Sequence, residues 1–200
     1  MFKNSPYENV PVNNWKNVTE NLIKKYPVST DYLVSVVLRS WDDILKTKIA
    51  GKLSIAKDVQ PKPQIMGFLL HEVIEFTMQA DYPQLWRREQ EASDKDIVCL
   101  KDDIYSLEIK TSSDKKHIFG NRSYAQETSS SKKSKSSFYL AINFEKFENN
   151  DSLPRIRLIR FGWIDHEDWI GQAAASGQQS RLSKEVEEGK LLTIYDISSK

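Results

Sequence analysis

The sequence predicts an α/β fold in which helices flank a central mixed β-sheet of about five strands. Apolar residues recur at helical spacing through the first 80 residues, and short β-type runs separated by turn residues dominate from Gln84 onward. A chain of 200 residues, 39% of them hydrophobic, suits a single domain over 1–200. We expect it to comprise a helical N-terminal part (1–60), a core (64–147), and C-terminal strands with a helix (148–200).

Three helices are predicted in the first part of the chain. The first begins after Asn14 and ends at Pro27. The second is capped by Ser29 or Thr30 and continues to about Lys48. The third, over about 64–80, carries apolar residues that we expect to be buried, namely Ile65, Phe68, Leu69, Val73, Ile74 and Phe76.

Strands are predicted where apolar, β-branched and aromatic residues cluster between turn residues. Two apolar runs, 97–100 and 104–109, flank the turn-forming Lys101-Asp102-Asp103, which is the pattern of a β-hairpin. Further strands are expected at 84–89, 138–147, 155–164 and 191–195. Asp165 is expected to cap a helix that runs from Trp169 to Ala175.

Three charged side chains lie on or beside the predicted hairpin. Asp96 is at the mouth of its first strand, while Glu108 and Lys110 share one face of the second, roughly 7 Å apart. The hairpin thereby gathers two carboxylates and one ammonium at a sheet edge. Carboxylate oxygens bind hard divalent cations such as Mg²⁺, and a nearby Lys can orient a bound water for attack on phosphorus. This combination provides the chemistry of phosphodiester hydrolysis.

The same residues also have a plainer interpretation. Charged residues make up 28% of the chain, so an Asp followed at loose spacing by Glu-x-Lys arises by chance in many proteins. Glu and Lys are also common cross-strand partners at solvent-facing strand positions. The three side chains alone therefore leave both interpretations open.

A known family shares this arrangement. Asp96, an 11-residue gap and the Glu-Ile-Lys of 108–110 resemble the motif of the PD-(D/E)xK nuclease superfamily. Lys95 stands where that motif has a Pro, which the superfamily does not require. The ordered segments GFLLHEVIE, DIVCLKDD, SLEIKTSSD, HIFGNRSYAQ and KSKSSFYLAINFEKF are similar to the small type II restriction enzymes of the ScaI family. They make 64–147 the expected catalytic core.

The resemblance implies a Mg²⁺-dependent endonuclease that cuts both strands of a short palindromic site in double-stranded DNA and leaves 5′-phosphates. Asp96 and Glu108 would bind the metal. Lys110 would orient the attacking water and stabilise the charge that develops on the phosphate. A homodimer is expected, because two-fold protein symmetry matches a palindrome.

The resemblance also implies a Glu that reaches the metal site from the helix before the Asp strand. Glu72, five residues after Gly67 in GFLLHEVIE, is the candidate, with Glu75 in reserve. A solvated stripe or a salt bridge would explain either Glu as well. Since position 75 is not His, the two-His zinc motif that His71-Glu72 could begin is absent.

A polar stretch of nearly thirty residues begins at Lys110 and is expected to bind DNA. Such a length within a compact domain is typical of a binding loop or of local disorder. Cations beside a metal site can hold a phosphate backbone, and Arg, Asn and Gln can read base edges. The candidates are Lys115, Lys116, Asn121, Arg122, Ser123 and Gln126, with Gln178, Gln179 and Arg181 as a second group.

Composition excludes several other classes of protein. No apolar run approaches the length of a membrane-spanning helix, so no membrane partner is expected. The N-terminal residues lack a secretory signal, and we expect a location in the prokaryotic cytoplasm. The single Cys99 excludes an internal disulfide and a Cys-based zinc cluster. With a net charge of +1, any DNA-binding surface must arise from local clusters of Lys and Arg.

Two alternative functions stay open at this point. The same residues would serve a resolvase or a repair nuclease that acts on branched or damaged DNA. Discrete bands from plain plasmid DNA with Mg²⁺ would distinguish a restriction enzyme from these. In a non-catalytic DNA-binding module, Glu108 and Lys110 would merely pair on an exposed strand, and no metal would support cleavage.

Overall fold

A computed structural model of the protein describes residues 5–125, 135–147, 152–173 and 177–199. In these ranges the helices are α1 (Trp15–Ile23), α2 (Thr30–Lys46), α3 (Pro63–Asp81) and α4 (Lys184–Gly189). The first strands are β1 (Lys48–Ile49), β2 (Leu53–Ser54), β3 (Trp86–Arg88), β4 (Ile97–Cys99), β5 (Leu107–Ser112) and β6 (Phe119–Asn121). The remaining strands are β7 (Ser137–Phe144), β8 (Ile156–Ile164), β9 (Ile170–Gly171), β10 (Gln179–Arg181) and β11 (Leu192–Asp196).

A six-stranded sheet forms the centre of the fold, in the order β11-β8-β7-β5-β4-β3. β5 and β7 pair in parallel. The other neighbours pair antiparallel, so the sheet is mixed. The prediction of an α/β fold with helices flanking a central mixed sheet is confirmed.

The two faces of the sheet are covered by different parts of the chain. Leu107 and Ile109 of β5 belong to the main core, in which residues of α2 and α3 are also buried. On β7, Tyr139 and Ala141 belong to a second cluster with residues that follow β8. Because side chains alternate along a strand, Glu108 and Lys110, paired with Tyr139 and Ala141, lie on this second face.

The N-terminal helices begin where the sequence predicts. Ser29 caps α2, since its side chain accepts a hydrogen bond from the backbone N–H of Tyr32. α1 begins directly after Asn14, whose side chain makes no capping hydrogen bond. In the part of the chain that the structure describes, no helix is long and apolar enough to span a bilayer.

α3 buries a different face from the one predicted. Ile65, Phe68 and Phe76, predicted to be buried, are 53%, 62% and 64% exposed. The face toward the core consists of Met66, Gly67, Leu70, Ile74, Glu75 and Met78. The prediction was wrong because the helix is apolar on several sides, so its periodicity does not single out one face.

The closest approach of α3 to the sheet is at Gly67. A Cβ at Gly67 would lie 2.7 Å from Thr111 Oγ1 on β5. This distance is shorter than any normal contact, so only glycine fits there without a shift of its neighbours. Gly67 therefore brings α3 directly onto the strand that carries Glu108 and Lys110.

The predicted helix from Trp169 to Ala175 is wrong within the described residues, and 174–176 lie outside them. Asp165 instead caps a 3-10 turn over His166–Asp168, after which the chain continues as β9. β9 pairs with β10, and β10 pairs with β6, in a separate three-stranded antiparallel sheet. Pairing of β9 with β10, about ten residues further along the chain, overrides the local pattern that favoured a helix.

Candidate active site

Asp96 lies where β4 and β5 separate. The two strands pair at Ile97 and Leu107. Beyond that pair, the backbone N–H of Ile109 donates to Asp96 Oδ2 at 2.7 Å, so a carboxylate takes the place of a strand partner. Asp96 is 6% exposed. The structure thus places it at the mouth of β4, with its carboxylate against the middle of β5.

Glu108 and Lys110 lie side by side on β5. Lys110 Nζ is 3.5 Å from Glu108 Oε2 and 3.2 Å from the carbonyl oxygen of Ile109. Burial lowers the pKa of Lys110, but the negative charges around it, with Glu108 first and Asp96 also contributing, outweigh burial and hold that pKa above its ordinary value. Lys110 is therefore an ammonium at neutral pH. It can hold a phosphate or a water but cannot accept a proton.

Two other side chains contact Glu108, and neither was predicted from the sequence to belong to the site. Lys95 Nζ lies 3.4 Å from Glu108 Oε1. The hydroxyl of Tyr124 donates to Oε2 at 3.1 Å, and Lys110 Nζ lies 4.7 Å from the centre of the Tyr124 ring. Lys95 is noticeable in the sequence only as the residue before Asp96. Tyr124 lies sixteen residues beyond Glu108 in a polar stretch, where no local pattern would identify it.

α3 contributes a histidine that joins two carboxylates. His71 Nδ1 is 2.8 Å from Glu75 Oε1, and His71 Nε2 is 3.1 Å from Asp96 Oδ2. Burial lowers the pKa of His71, but its hydrogen bonds to Asp96 and Glu75 outweigh that effect and raise the pKa to about 9. An imidazolium at neutral pH therefore bridges the helix carboxylate and the strand carboxylate.

Glu72, the preferred helix carboxylate from the sequence, lies on the outer side of this group. Its side chain is 39% exposed and pairs with Arg88, which also lies 3.4 Å from Glu75 Oε2. Glu75 is only 2% exposed. Glu72, Glu75 and His71 offer ligand atoms within 4.8 Å of one another. The geometry favours Glu75 as the partner of Asp96, because His71 links the two.

The small sheet of β6, β10 and β9 gathers residues from both groups of predicted DNA contacts. Asn121 pairs with Gln179, and Phe119 pairs with Arg181. All four are exposed, whereas Gly120 and Ser180 between them are buried. Because neighbouring strand residues face opposite sides, the four exposed side chains share one outer face. We call this face the ribbon; it also includes the 48% exposed Ile170, which pairs with Arg181.

Arg122 and Gln178 brace the end of the ribbon. The backbone N–H of Arg122 donates to the carbonyl oxygen of Gln178 at 2.7 Å. The Arg122 guanidinium donates to the carbonyl oxygen of Gly177 at 3.1 Å. These two contacts join the chain after β6 to the chain before β10.

The remaining predicted DNA contacts lie on the surface beside this sheet. Lys115 and Lys116 are exposed in the loop after β5, with Lys116 Nζ 3.5 Å from Glu188. Ser123 is exposed in the 3-10 turn Arg122–Ala125. Gln126 and residues 127–134 lie outside the described residues.

Tyr124 connects the small sheet to Glu108 and the charged side chains around it (Asp96, Lys110, Lys95 and His71), which we call the candidate catalytic group. Its ring lies 5.1 Å from the ring of Trp169, measured between centroids, and a Cβ on Gly120 would lie 3.2 Å from Tyr124 Cγ. The buried side of the small sheet, opposite the ribbon, therefore rests on Tyr124, which also donates to Glu108. A shift of the small sheet would be transmitted through Tyr124 to Glu108.

Comparison with known proteins decides the family. The model of the ScaI restriction endonuclease family matches residues 5–195. The chain belongs to the ScaI restriction endonuclease family. The type II restriction enzyme ScaI of Streptomyces caespitosus is 43% identical over 193 residues, which cover 96% of this chain and 85% of that protein. The resemblance found in the sequence is confirmed, and the protein is a site-specific deoxyribonuclease.

Buried carboxylates of this ScaI family member offer oxygen donors suited to a metal ion. Asp96, Glu108 and Glu75 are carboxylates buried to more than nine-tenths. Hard divalent cations prefer such ligands, whereas a structural zinc site would need Cys or several His. His71 and the lysines beside the carboxylates supply positive charge to the same group. The donor chemistry therefore fits a hard divalent cation.

Proposed function

We propose that this enzyme uses Mg²⁺ to hydrolyse both strands of a short palindromic site in double-stranded DNA, leaving 5′-phosphates. The main support is that the Asp96 carboxylate accepts from the backbone N–H of Ile109, the residue between Glu108 and Lys110, and that Lys110 lies 3.5 Å from Glu108. Restriction endonucleases cut phosphodiester bonds, and this group provides both metal ligands and a permanent cation for that reaction.

The residues around Glu108 have separate roles in this proposal. Asp96 and Glu108 would hold Mg²⁺, which when bound supplies Lewis-acid activation of water and phosphate. Lys110 orients the attacking water and stabilises the negative charge that develops on the phosphate oxygens. Tyr124, whose pKa is raised by burial, stays a neutral phenol and donates to Glu108. Glu75 acts through His71 to keep the Asp96 carboxylate in place.

Replacing Asp96 or Lys110 by Ala tests these assignments. We expect each variant to lose plasmid cleavage by at least about 10²–10³-fold, because an electrostatic contact used in the transition state is gone. Binding of duplex DNA in Ca²⁺ should persist. Lys101→Ala, which removes an exposed cation from the turn of the same hairpin, is the matched control. An Asp96→Ala protein that cut plasmid at the wild-type rate would show that the assignment is wrong.

Digestion of phage DNA separates site-specific cleavage from the related nuclease activities. A restriction enzyme yields fragments whose sequenced ends share one palindrome and a fixed cut position. A repair nuclease or resolvase yields no such common end and prefers damaged or branched DNA. Family membership favours the first outcome, and the sequenced ends identify the site.

The ribbon is the part of the molecule best suited to reading bases. Strands of a small antiparallel sheet can enter the major groove, where Asn and Gln suit adenine and Arg suits guanine. The ribbon presents Asn121 and Gln179 as direct neighbours, with Arg181 next along β10. Cations beside the ribbon would contact the phosphate backbone, with Ser123 as a neutral donor; the candidates are the exposed Lys115 and Lys116 and the partly buried Arg122.

Variants of the ribbon and variants of the loop after β5 should have different effects on DNA recognition. Arg181→Ala should weaken cleavage by about 1–3 kcal/mol and relax the choice of base at one position. Lys115→Ala should weaken binding to all sequences alike and lower the slope of log affinity against log salt by about one. Arg155→Ala, at an exposed Glu145 pair, is the control. Equal, sequence-independent losses from Arg181→Ala would argue against base reading.

A homodimer is the assembly that fits a palindromic substrate. Each copy would cut one strand, because a two-fold axis relates the two halves of the site. Sedimentation of the protein at micromolar concentration should give twice the 23.2 kDa mass of the chain. A monomer that still makes double-strand cuts would contradict this. We expect the enzyme to act in the prokaryotic cytoplasm, where its double-stranded DNA substrate is found.

A further inference from the structure

Lys95 is a buried lysine that the mechanism above does not use. It directly precedes Asp96 in the chain and is 7% exposed. Its Nζ lies 3.4 Å from Glu108 Oε1, and Glu108 itself is 1% exposed. A buried ammonium is tolerated only where a negative charge lies close, so Lys95 and Glu108 form a charge pair within the protein.

The two oxygens of Glu108 have different neighbours. Oε2 accepts the hydrogen bond from Tyr124 and lies 3.5 Å from Lys110 Nζ. Oε1 has Lys95 beside it. Lys110 has a role at the phosphate, and Tyr124 orients the carboxylate. A metal ion that binds Oε1 must instead approach the position that the Lys95 ammonium occupies.

We propose that Lys95 is a built-in counter-ion that competes with the metal ion for Glu108 and thereby sets the metal affinity. This inference rests on the proposed function, because it takes Asp96 and Glu108 as the metal ligands. A positive charge within a few ångströms of a divalent ion opposes its binding, and the net charge of the ligands tunes the affinity of carboxylate sites. Removing the charge of Lys95 should therefore tighten metal binding about tenfold or more.

The competition has a functional consequence. The wild-type enzyme binds its cation weakly enough that cleavage depends on the Mg²⁺ concentration of the solution. A variant without the Lys95 charge should reach half-maximal cleavage at a lower Mg²⁺ concentration. The Mg²⁺ concentration that gives half-maximal cleavage is measured separately from the maximal rate of cleavage.

Titration with Mn²⁺ tests the inference without DNA and without catalysis. The free ion is measured by its electron paramagnetic resonance signal in the presence of wild-type protein or of a variant. We expect Lys95→Met to bind Mn²⁺ about tenfold or more tightly than wild type, and Lys95→Arg, which keeps the charge, to resemble wild type. Lys101→Met is the control, since it removes an exposed charge from the same hairpin.

Two further variants make the outcome decisive. Lys95→Gln repeats the test with a polar side chain in case the apolar variant does not fold, as judged by its thermal unfolding curve. Folded Lys95→Met or Lys95→Gln protein with wild-type or weaker Mn²⁺ affinity would overturn the role of Lys95. Glu108→Gln should lose Mn²⁺ affinity. If it did not, the proposed metal site itself would be wrong, which is a separate result from a failure of Lys95 alone.

Discussion

Two parts of this protein bury a lysine among carboxylates, and they hold it differently. Lys190 donates to Asp165 Oδ2 at 2.8 Å and to both oxygens of Asp168 at 2.8 and 2.9 Å. The rings of Tyr7 and Trp15 cover it at 4.2 and 4.7 Å. In the candidate catalytic group the lysine–carboxylate distances are longer, 3.5 Å from Lys110 and 3.4 Å from Lys95 to Glu108.

The difference separates a lysine held by short hydrogen bonds from two lysines that lie farther from their carboxylate. Short hydrogen bonds use the donors of Lys190 and join the His166–Asp168 turn to the end of α4. The 3.5 and 3.4 Å that separate Lys110 and Lys95 from Glu108 exceed the roughly 2.7–2.9 Å of a charge-assisted hydrogen bond. Lys110 also donates to the carbonyl oxygen of Ile109 and lies over the Tyr124 ring.

Exchanging each lysine for Met gives the largest expected effects. Lys190→Met leaves Asp165 and Asp168 buried without their cation and should lower the free energy of unfolding by about 3–5 kcal/mol. Lys110→Met should lose cleavage by at least about 10²-fold. Its stability should fall much less, since Glu108 keeps Lys95. Urea unfolding curves and plasmid cleavage measure the two effects.

The distinction between Lys190 and Lys110 would be wrong if their Met variants showed the opposite effects on stability. A Lys110→Met protein that lost as much stability as Lys190→Met would show that the loosely held lysine also holds the fold together. A Lys190→Met protein of wild-type stability would show that the short hydrogen bonds of Lys190 contribute little. Lys101→Met serves as the control for removal of an exposed lysine.

The close approach of α3 to β5 should make position 67 intolerant of a side chain larger than that of glycine. Gly67→Ala places a methyl group 2.7 Å from Thr111 Oγ1 and should cost about 1–3 kcal/mol through overpacking. Thr111→Ala removes that oxygen, after which the nearest Thr111 atom, Cβ, lies at an ordinary 3.5 Å. The double variant should therefore recover part of the loss. Additive losses in a double-mutant cycle would contradict a direct clash.

The catalytic strand was predictable because its information is local. The alternation along β5 places Glu108 and Lys110 on one face, and Asp96 falls at a strand end, as turn and strand patterns indicate. The start of α2 follows from Ser29 for the same reason. That 1–200 forms one domain stays a prediction.

The rest of the site depends on contacts that local pattern does not encode. Glu75 rather than Glu72 faces Asp96 because of how α3 packs, and α3 is apolar on too many sides for its sequence to fix that. Tyr124 reaches Glu108 through a polar loop. The ribbon forms by pairing strands about 60 positions apart, a step that one-dimensional spacing does not reveal.

The last expected effect concerns His71, which carries a positive charge at neutral pH and loses it at higher pH. Its pKa of about 9 in the folded protein exceeds the ordinary value of 6.5, so its contribution to stability is fully present below pH 6.5 and is lost as pH rises through about 9. The rise of the pKa by about 2.5, at about 1.4 kcal/mol per pKa unit, makes the loss on the order of 3 kcal/mol. Urea unfolding in EDTA between pH 6 and 9 measures it, with His71→Gln as the comparison. Because the Gln side chain keeps hydrogen bonding without a charge, that variant should show a flatter profile, and an identical slope in both proteins would mean that His71 does not bridge Glu75 and Asp96 as a cation.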